Sequence, residues 1–237
     1  MRRDREEEAP RREAVPRTKQ APQLPTPSEL SIGRESLLQL RNVSRETLER
    51  LDAFIALLLE WQVKTNLVAP STLGEVWSRH IGDSLQLHAL APTPKRWVDL
   101  GSGAGFPGIV LGICQHGQAG AHVHLIESNA KKAAFLRAVI RETEIEATVH
   151  AERIEECGPV LGQADAVSAR AVASLDILLG FVAGRIPREI PCYFAKGRRH
   201  DEEIVDAAAH WRFTVVKHSS TVAAESSILE VRDIEPR

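Results

Sequence analysis

The sequence Asp99-Leu100-Gly101-Ser102-Gly103-Ala104-Gly105-Phe106-Pro107-Gly108 overlaps the end of a short apolar run, Trp97–Leu100, and leads into a second apolar segment. Glycines at such a strand-to-helix turn let the backbone pass tightly and approach a nucleotide-containing ligand without interference from Cβ atoms. Dinucleotide-binding loops read GxGxxG, whereas this loop reads GxGxG, because Phe106 occupies the position of the third glycine. The spacing therefore favours a ligand other than a dinucleotide.

The acidic residues near this loop indicate the charge of that ligand. Asp99 directly precedes the glycines, where it would repel a pyrophosphate and attract a cation. S-adenosylmethionine carries a sulfonium and an ammonium group, so we expect it to be the cofactor. Glu127 ends the next apolar run, 22 positions beyond Gly105, near the spacing of the acid that binds ribose hydroxyls in related loops. A surface glutamate that caps the helix starting at Asn129 is the alternative.

The rest of the chain alternates short apolar runs with helical patterns, which is typical of a parallel sheet built from βαβ units. The predicted strands are Trp97–Leu100, Val123–Ile126, Thr148–His150, Ala164–Ser168, Tyr193–Ala195, Phe213–Val216 and Ile228–Val231. The last two leave no room for a helix between them, so the last strand should be antiparallel. The expected fold class is α/β, a Rossmann-like class I methyltransferase sheet with an N-terminal helical subdomain.

Three segments differ in composition. Residues 1–28 mix basic, acidic and proline residues and should be a disordered tail, because they have little apolar surface to bury. Residues 29–92 have helical periodicity and form the predicted helical subdomain, with helices at 45–63 and 76–90 and a capping box at Thr72 and Glu75. Residues 93–237 form the predicted cofactor-binding domain.

Composition excludes several classes of protein. The chain has 237 residues, with 30 Lys and Arg against 32 Asp and Glu, a formal net charge of -2. No apolar run approaches the roughly 18 residues of a membrane span, and no secretory signal is recognisable. Three cysteines without CxxC spacing indicate neither a disulfide framework nor a metal site. We expect a cytoplasmic monomer that binds no metal and no membrane.

The residues after the predicted strands limit the chemistry. The Asn/Asp-Pro-Pro-aromatic motif of exocyclic-amine methyltransferases is missing after strand four, and Cys192 starts strand five, at the wrong end for a nucleophile. Lys196 ends strand five, but Asp165 lies at the beginning of strand four, so the two do not form a base for 2′-O methylation. A nucleophile with its own lone pair, such as guanine N7, needs no catalytic acid or base, only positioning. We therefore expect no catalytic residue in the strict sense.

Several motifs together resemble one known family, the bacterial small-subunit ribosomal RNA methyltransferase G, also called glucose-inhibited division protein B. The motifs span residues 61–68, Arg79-His80-Ile81-Gly82-Asp83-Ser84-Leu85, residues 99–108, Ala169-Arg170-Ala171 and Lys196-Gly197. The resemblance implies methylation of guanine N7 at position 527 of 16S ribosomal RNA, free or in a small-subunit assembly intermediate. Two residues depart from the family pattern: Gln62 stands where Asn is common, and Glu144 where Gly is usual.

The resemblance and the loop together give the expected site. Cofactor contacts are expected at Gly101, Gly103, Phe106, Glu127, Ile154, Glu155 and Arg170. Substrate contacts are expected at Arg79, His80, Lys196, Arg198 and Arg199. Arg79 could instead pair with Asp83, Arg170 with Asp83 or Glu127, and Arg198 and Arg199 with residues 201–203. A small-molecule methyltransferase and a non-catalytic cofactor-binding regulatory module are the alternative functions.

Overall fold

The N-terminal part of the chain is helical. The computed structural model describes residues 24–93 and 95–237, so most of the predicted tail, residues 1–23, lies outside the described residues. Helices α1 (Pro27–Leu40), α2 (Arg45–Gln62) and α3 (Pro70–Leu73) come first. A π-helical segment (Val76–Ile81) then continues directly into α4 (Gly82–Leu90). The helix predicted at 45–63 is therefore confirmed.

The remaining residues alternate strands and helices. The strands are β1 (Arg96–Leu100), β2 (His122–Ile126), β3 (Ala147–His150), β4 (Ala166–Arg170), β5 (Cys192–Lys196), β6 (Trp211–Ser219) and β7 (Ser227–Pro236). The helices are α5 (Gly108–Gln115), α6 (Ala130–Thr143), α7 (Gly158–Leu161), α8 (Leu175–Val182) and α9 (His200–Ala208), with a 3-10 turn at Ile154–Glu156. No helix among the described ranges is both long enough and apolar enough to cross a bilayer.

The seven strands form one sheet in the order β3-β2-β1-β4-β5-β7-β6. Strands β1 to β5 pair in parallel, whereas β7 runs antiparallel between β5 and β6. The predicted fold class is confirmed, including the antiparallel last strand. Because the order reverses between β1 and β4, the carboxyl ends of these strands border a crevice where ligands of such sheets bind.

Each face of the sheet is covered by its own apolar core. One core joins the N-terminal helices to α5, α6 and one sheet face, and the other joins α7 to α9 to the opposite face. Phe54 of α2 lies 5.1 Å from the ring of Phe106 and 6.4 Å from that of Phe135. The N-terminal helices thus share a core with the sheet, and the division at residues 28 and 92 stays a prediction.

Two local predictions were wrong. Strand β4 begins at Ala166, two residues after the predicted start, because the Asp165 carboxylate accepts hydrogen bonds from the backbone N–H groups of Lys95 and Arg96. The capping box of Thr72 and Glu75 does not form. A π-helix, in which the hydrogen bonds span five residues instead of four, replaces the first part of the predicted helix at 76–90.

The two family departures have different structural consequences. Gln62 is buried and its amide holds the following loop, donating to the Val68 carbonyl and accepting from the N–H groups of Leu67 and Val68. Glu144 ends α6 with φ of +53°, a left-handed conformation that glycine adopts with less strain. The glutamine therefore has a structural role, whereas the glutamate costs stability.

The start of α5 lies against the sheet so closely that it needs a glycine. A Cβ atom on Gly108 would lie within 3.0 Å of both Cδ2 of Leu125 and Oδ2 of Asp99, an approach that real Cβ atoms essentially never show. Both neighbours are completely or almost completely buried, so neither can move without disturbing the core. The sequence motif thus reflects packing as well as ligand approach.

We expect Gly108→Ala to lower the free energy of unfolding by about 1–3 kcal/mol, the usual cost of overpacking a core. Gly74→Ala is the matched control, because residue 74 has φ of -63° and open space around its Cβ position. Urea unfolding of both variants checks this, and equal midpoints would contradict the close packing of α5.

Candidate active site

A cavity of about 570 Å³ opens at the carboxyl edge of β1, β4 and β5. Its wall combines the glycine loop, the ends of these strands, the π-helical segment and the loop between β6 and β7. The predicted site residues that line it are Arg79, His80, Gly101, Gly103, Phe106, Glu127, Arg170 and Lys196. The volume falls within the range of small-molecule and cofactor sites. The structure thus brings together eight residues that were chosen from sequence.

Glu127 connects the glycine loop to the start of α6. Its Oε2 accepts a hydrogen bond of 2.9 Å from the N–H of Gly103, and its Oε1 accepts one of 2.7 Å from the N–H of Asn129. The carboxylate is mostly buried but lines the cavity, and each oxygen keeps a free lone pair for a ligand hydroxyl. Glu127 is therefore a hydrogen-bond acceptor held in a fixed position beside the glycine loop, which is what the binding of ribose hydroxyls would require.

Asp99 is buried within the sheet. Its carboxyl is 1% exposed, lies outside the cavity lining, and accepts a 2.7 Å hydrogen bond from the Ser168 hydroxyl of β4. Burial raises its pKa to about 6. Asp99 therefore does not contact a ligand in this cavity directly, because its side chain joins β1 to β4 within the sheet, and the expected attraction to a cationic cofactor stays a prediction.

Arg170, at the end of β4, is a buried cation with incomplete pairing. Its side chain is 16% exposed, and its nearest carboxylate is Asp83, with 3.9 Å between Nη2 and Oδ2. Its Nη1 is buried without a hydrogen-bond partner. Burial, followed by the nearby charge of Arg79, lowers the pKa of the guanidinium, with Asp83 opposing the shift. A buried N–H group that lacks an acceptor next to a cavity indicates that a ligand supplies one.

His80 is a neutral aromatic surface in this cavity. Its ring stacks on Phe106 with centroids 5.1 Å apart, and its Nε2 lies 3.1 Å from the Thr72 hydroxyl. Burial, then the charges of Arg170 and Arg79, lowers its pKa to about 3. His80 is therefore uncharged near neutral pH. At that pH it neither binds a phosphate as a cation nor donates a proton as a histidinium ion would.

The predicted basic residues at this edge are largely paired with acids. Lys196 donates to the Ala173 carbonyl and to Glu203, at 2.6 and 2.7 Å. Arg198 pairs with Glu225 and Arg199 with Glu202, both outside the cavity lining. Arg79 lines the cavity, and its nearest carboxylate is Glu75 at 3.7 Å. The predicted alternative pairing of Arg79 with Asp83 does not occur, whereas that of Arg170 with Asp83 does.

Two predicted cofactor contacts lie outside this cavity, and one lining cation was missed. Ile154 and Glu155 form part of the 3-10 turn after β3, where Ile154 packs on the second core and Glu155 is exposed. Lys132 of α6 lines the cavity, although lysines in the first turn of a helix carry no motif that would single them out. The loop between β6 and β7, residues 220–226, also lines the cavity together with the first residues of β7, and this was not predicted.

We expect Arg170→Met to weaken S-adenosylmethionine binding about 10- to 100-fold, since a hydrogen bond to a charged group contributes about 1.5–3 kcal/mol. The thermal stability should stay equal or rise, because the variant removes an incompletely paired buried charge. Titration calorimetry and thermal unfolding measure the two effects. Arg185→Met, which changes a half-buried arginine outside the cavity, is the control, and an unchanged affinity of the Arg170 variant would contradict the assignment.

The pKa of His80 gives a pH dependence of stability. Between its ordinary pKa of 6.5 and the folded value of about 3, the unfolded chain binds more protons than the folded chain. The neutral ring therefore makes its full contribution to the free energy of unfolding above pH 6.5, and this contribution is lost as the pH falls toward 3. We expect the free energy of unfolding of His80→Gln, measured with urea, to fall less than that of the wild type between pH 7 and 4.5. An equal fall in both proteins would contradict the neutral state of His80.

Comparisons with known proteins agree with this geometry. The family model for rRNA small subunit methyltransferase G (GidB) matches residues 47–231. The Ribosomal RNA small subunit methyltransferase G of Rhizobium meliloti is 46% identical, over 85% of this chain and 98% of that protein. The protein with the same name from a Bradyrhizobium species is 47% identical, over 89% and 95% of the two chains.

Solved structures with low sequence identity share the fold. A putative O-methyltransferase from Klebsiella pneumoniae superposes with a TM-score of 0.56 at 12% identity, over 86% of this chain and 96% of that chain. A mutant of MtNAS in complex with S-adenosylmethionine gives a TM-score of 0.52 at 17% identity, over 86% and 77%. With the family match over most of its length, the chain belongs to the rRNA small subunit methyltransferase G family of S-adenosylmethionine-dependent enzymes.

Proposed function

We propose that this enzyme transfers the methyl group of S-adenosylmethionine to N7 of one guanine in 16S ribosomal RNA. The observation that carries the proposal is the state of the acids and bases around the cavity. Among the described lining residues, a pKa of about 3 makes His80 a weak base, Glu127 is held by two backbone amides, and Lys196 is paired with Glu203. Asp83 accepts from Ser220 and lies near Arg170, and Lys132 is a cation without an ion pair. Such a site suits a nucleophile that needs no deprotonation, and guanine N7 carries its own lone pair.

The cavity residues divide into two proposed groups. Gly101, Gly103, Phe106, Glu127 and Arg170 would hold the cofactor, which supplies an electrophilic methyl group on its sulfonium when bound. Gly101 has φ of +60°, and a Cβ there would lie 2.8 Å from Val172, so the loop backbone keeps its close turn only with glycine. Ile154 and Glu155 lie outside the cavity lining and stay a family-based prediction for the adenine end.

The proposed substrate side is the part of the cavity lined by the π-helical segment. Arg79 and the neutral ring of His80 offer a cation and an aromatic face to a guanine and its phosphate. Holding the N7 lone pair about 3–3.5 Å from the methyl group, and in line with it, can supply about 7–11 kcal/mol of the barrier. Lys196, Arg198 and Arg199 stay predicted substrate contacts, although each now has an acidic partner.

We expect labelled methyl transfer from S-adenosylmethionine to small-subunit RNA prepared from cells that lack this gene. The decisive substrate carries 7-deazaguanine at the target position, because a C–H group replaces the N7 lone pair there. Transfer to the guanine RNA and none to the 7-deaza RNA would support the proposal. Equal labelling of both RNAs, or no labelling of any small-subunit RNA or particle by protein that binds the cofactor, would refute it.

The cellular setting is part of the same proposal. The partner is 16S ribosomal RNA, either free or in a small-subunit assembly intermediate, which implies a cytoplasmic enzyme. We propose that the enzyme acts as a monomer. Methylation of naked RNA and of purified particles, measured side by side, separates the two substrates.

A further inference from the structure

Most cationic side chains in the described part of the chain are hydrogen-bonded or paired with acceptors of the protein itself. Among the described Lys and Arg residues, six have no side-chain hydrogen bond or ion pair: Lys64, Lys131, Lys132, Arg137, Arg141 and Arg153. Four of these six lie on helix α6. Among the described residues, the unpaired cations are therefore concentrated on this one helix, whose only acidic residue is the exposed Glu142.

The cations of α6 lie beside the cavity and lead away from it. Lys132 lines the cavity, as do Gly103 and Glu127. Lys131, Arg137 and Arg141 are exposed and, at about 100° per residue, occupy an arc of about 120° on the outer side of the helix. From Lys131 to Arg141 the helix rises about 15 Å. A row of positive charge thus extends from the cavity mouth along one side of the molecule.

Lys64 extends this row at the cavity end. Helices α2 and α6 pack antiparallel, since Trp61 contacts Phe135 at 5.8 Å between ring centroids while the Arg50 side chain donates to the Thr143 carbonyl. The residues after α2 therefore lie at the same end as the start of α6. We call Lys64, Lys131, Lys132, Arg137 and Arg141 the α6 cation cluster.

The two lysines in the first turn of α6 do not stabilise the helix. The amino end of a helix carries partial positive charge, which acidic residues stabilise and cations destabilise. The first turn of α6 contains no acidic residue, but it contains Lys131 and Lys132. Lys131 and Lys132 weaken the start of the helix and form no side-chain hydrogen bond or ion pair among the described residues, as is expected where an external anion is bound.

We propose that the α6 cation cluster binds the phosphate backbone of the RNA that flanks the target guanine. This inference rests on the proposed function, from which it takes RNA as the ligand. The cluster can bind phosphate without breaking an internal ion pair, whereas Arg198 and Arg199 must first leave Glu225 and Glu202. Phosphate contacts fix the position of the nucleic acid and leave the choice of base to the cavity.

The test compares charge removal at α6 with the same removal elsewhere. The double variant Lys131→Gln/Arg137→Gln removes two exposed cations that do not line the cavity. The control Arg188→Gln/Arg212→Gln removes two exposed arginines near Glu235, at the opposite, amino-terminal edge of β5. The affinity for unmethylated 16S RNA is measured at several KCl concentrations.

We expect the α6 variant to bind RNA more weakly, with a slope of log Kd against log salt that is smaller by about 1.5, since each phosphate contact contributes about 0.7–0.9. Its S-adenosylmethionine affinity should match that of the wild type, and its melting temperature should be equal or higher. The control should keep the wild-type slope. A slope change in the α6 variant no larger than that of the control would overturn the proposal.

A third variant compares the α6 cation cluster with Arg198 and Arg199, the arginines that the sequence analysis predicted as substrate contacts. Arg198→Gln/Arg199→Gln should change the slope less than the α6 variant, and a larger change would overturn the priority of α6. Failure of the proposed function is recognised separately, because the wild-type enzyme would then methylate no small-subunit RNA. If only the α6 proposal is wrong, the wild-type enzyme still methylates small-subunit RNA. The α6 variant is then as active as the wild type at limiting RNA concentration.

Discussion

The close approach of α5 to the sheet at Gly108 is the constraint on which the site depends. It leaves no room for a side chain between the helix start and the buried pair Leu125 and Asp99. The preceding residues must therefore form a compact loop, and Phe106 is held between the rings of Phe54 and His80. One packing contact thus fixes the loop, the cavity wall and the link to the N-terminal helices.

The sequence predicts the sheet well because strand and helix periodicities are local signals. It predicts the loop and Glu127 because their spacing relative to the strand is characteristic. The role of Asp99 could not be predicted in this way, since its direction depends on Ser168 of a strand that is distant in sequence. The same holds for the pairing of Arg198 with Glu225, which requires the position of the loop between β6 and β7.

The cavity contains more positive charge than its acids balance. Burial, and after it the charges of Arg170 and Arg79, lowers the pKa of His80, and Asp83 is the carboxylate nearest to Arg170. Burying a guanidinium with an unpartnered Nη1 costs stability in the free protein. Sites that bind ligands commonly retain such unfavourable groups, because a bound acceptor compensates for them. The incomplete pairing of Arg170 is therefore better explained by ligand binding than by stability.

A net charge of -2 gives the chain no overall attraction to the negatively charged backbone of RNA. Attraction to a phosphate backbone depends on charges that are free to contact it, however, and not on the sum over the chain. Near the active edge, Lys196, Arg198 and Arg199 are neutralised by internal acids, whereas the cations of α6 are not. Because four of the six unpaired cations among the described residues lie on α6, the proposed RNA contacts are confined to one side of the cavity. A near-neutral net charge is therefore compatible with the proposed RNA binding, which requires only a local group of free cations.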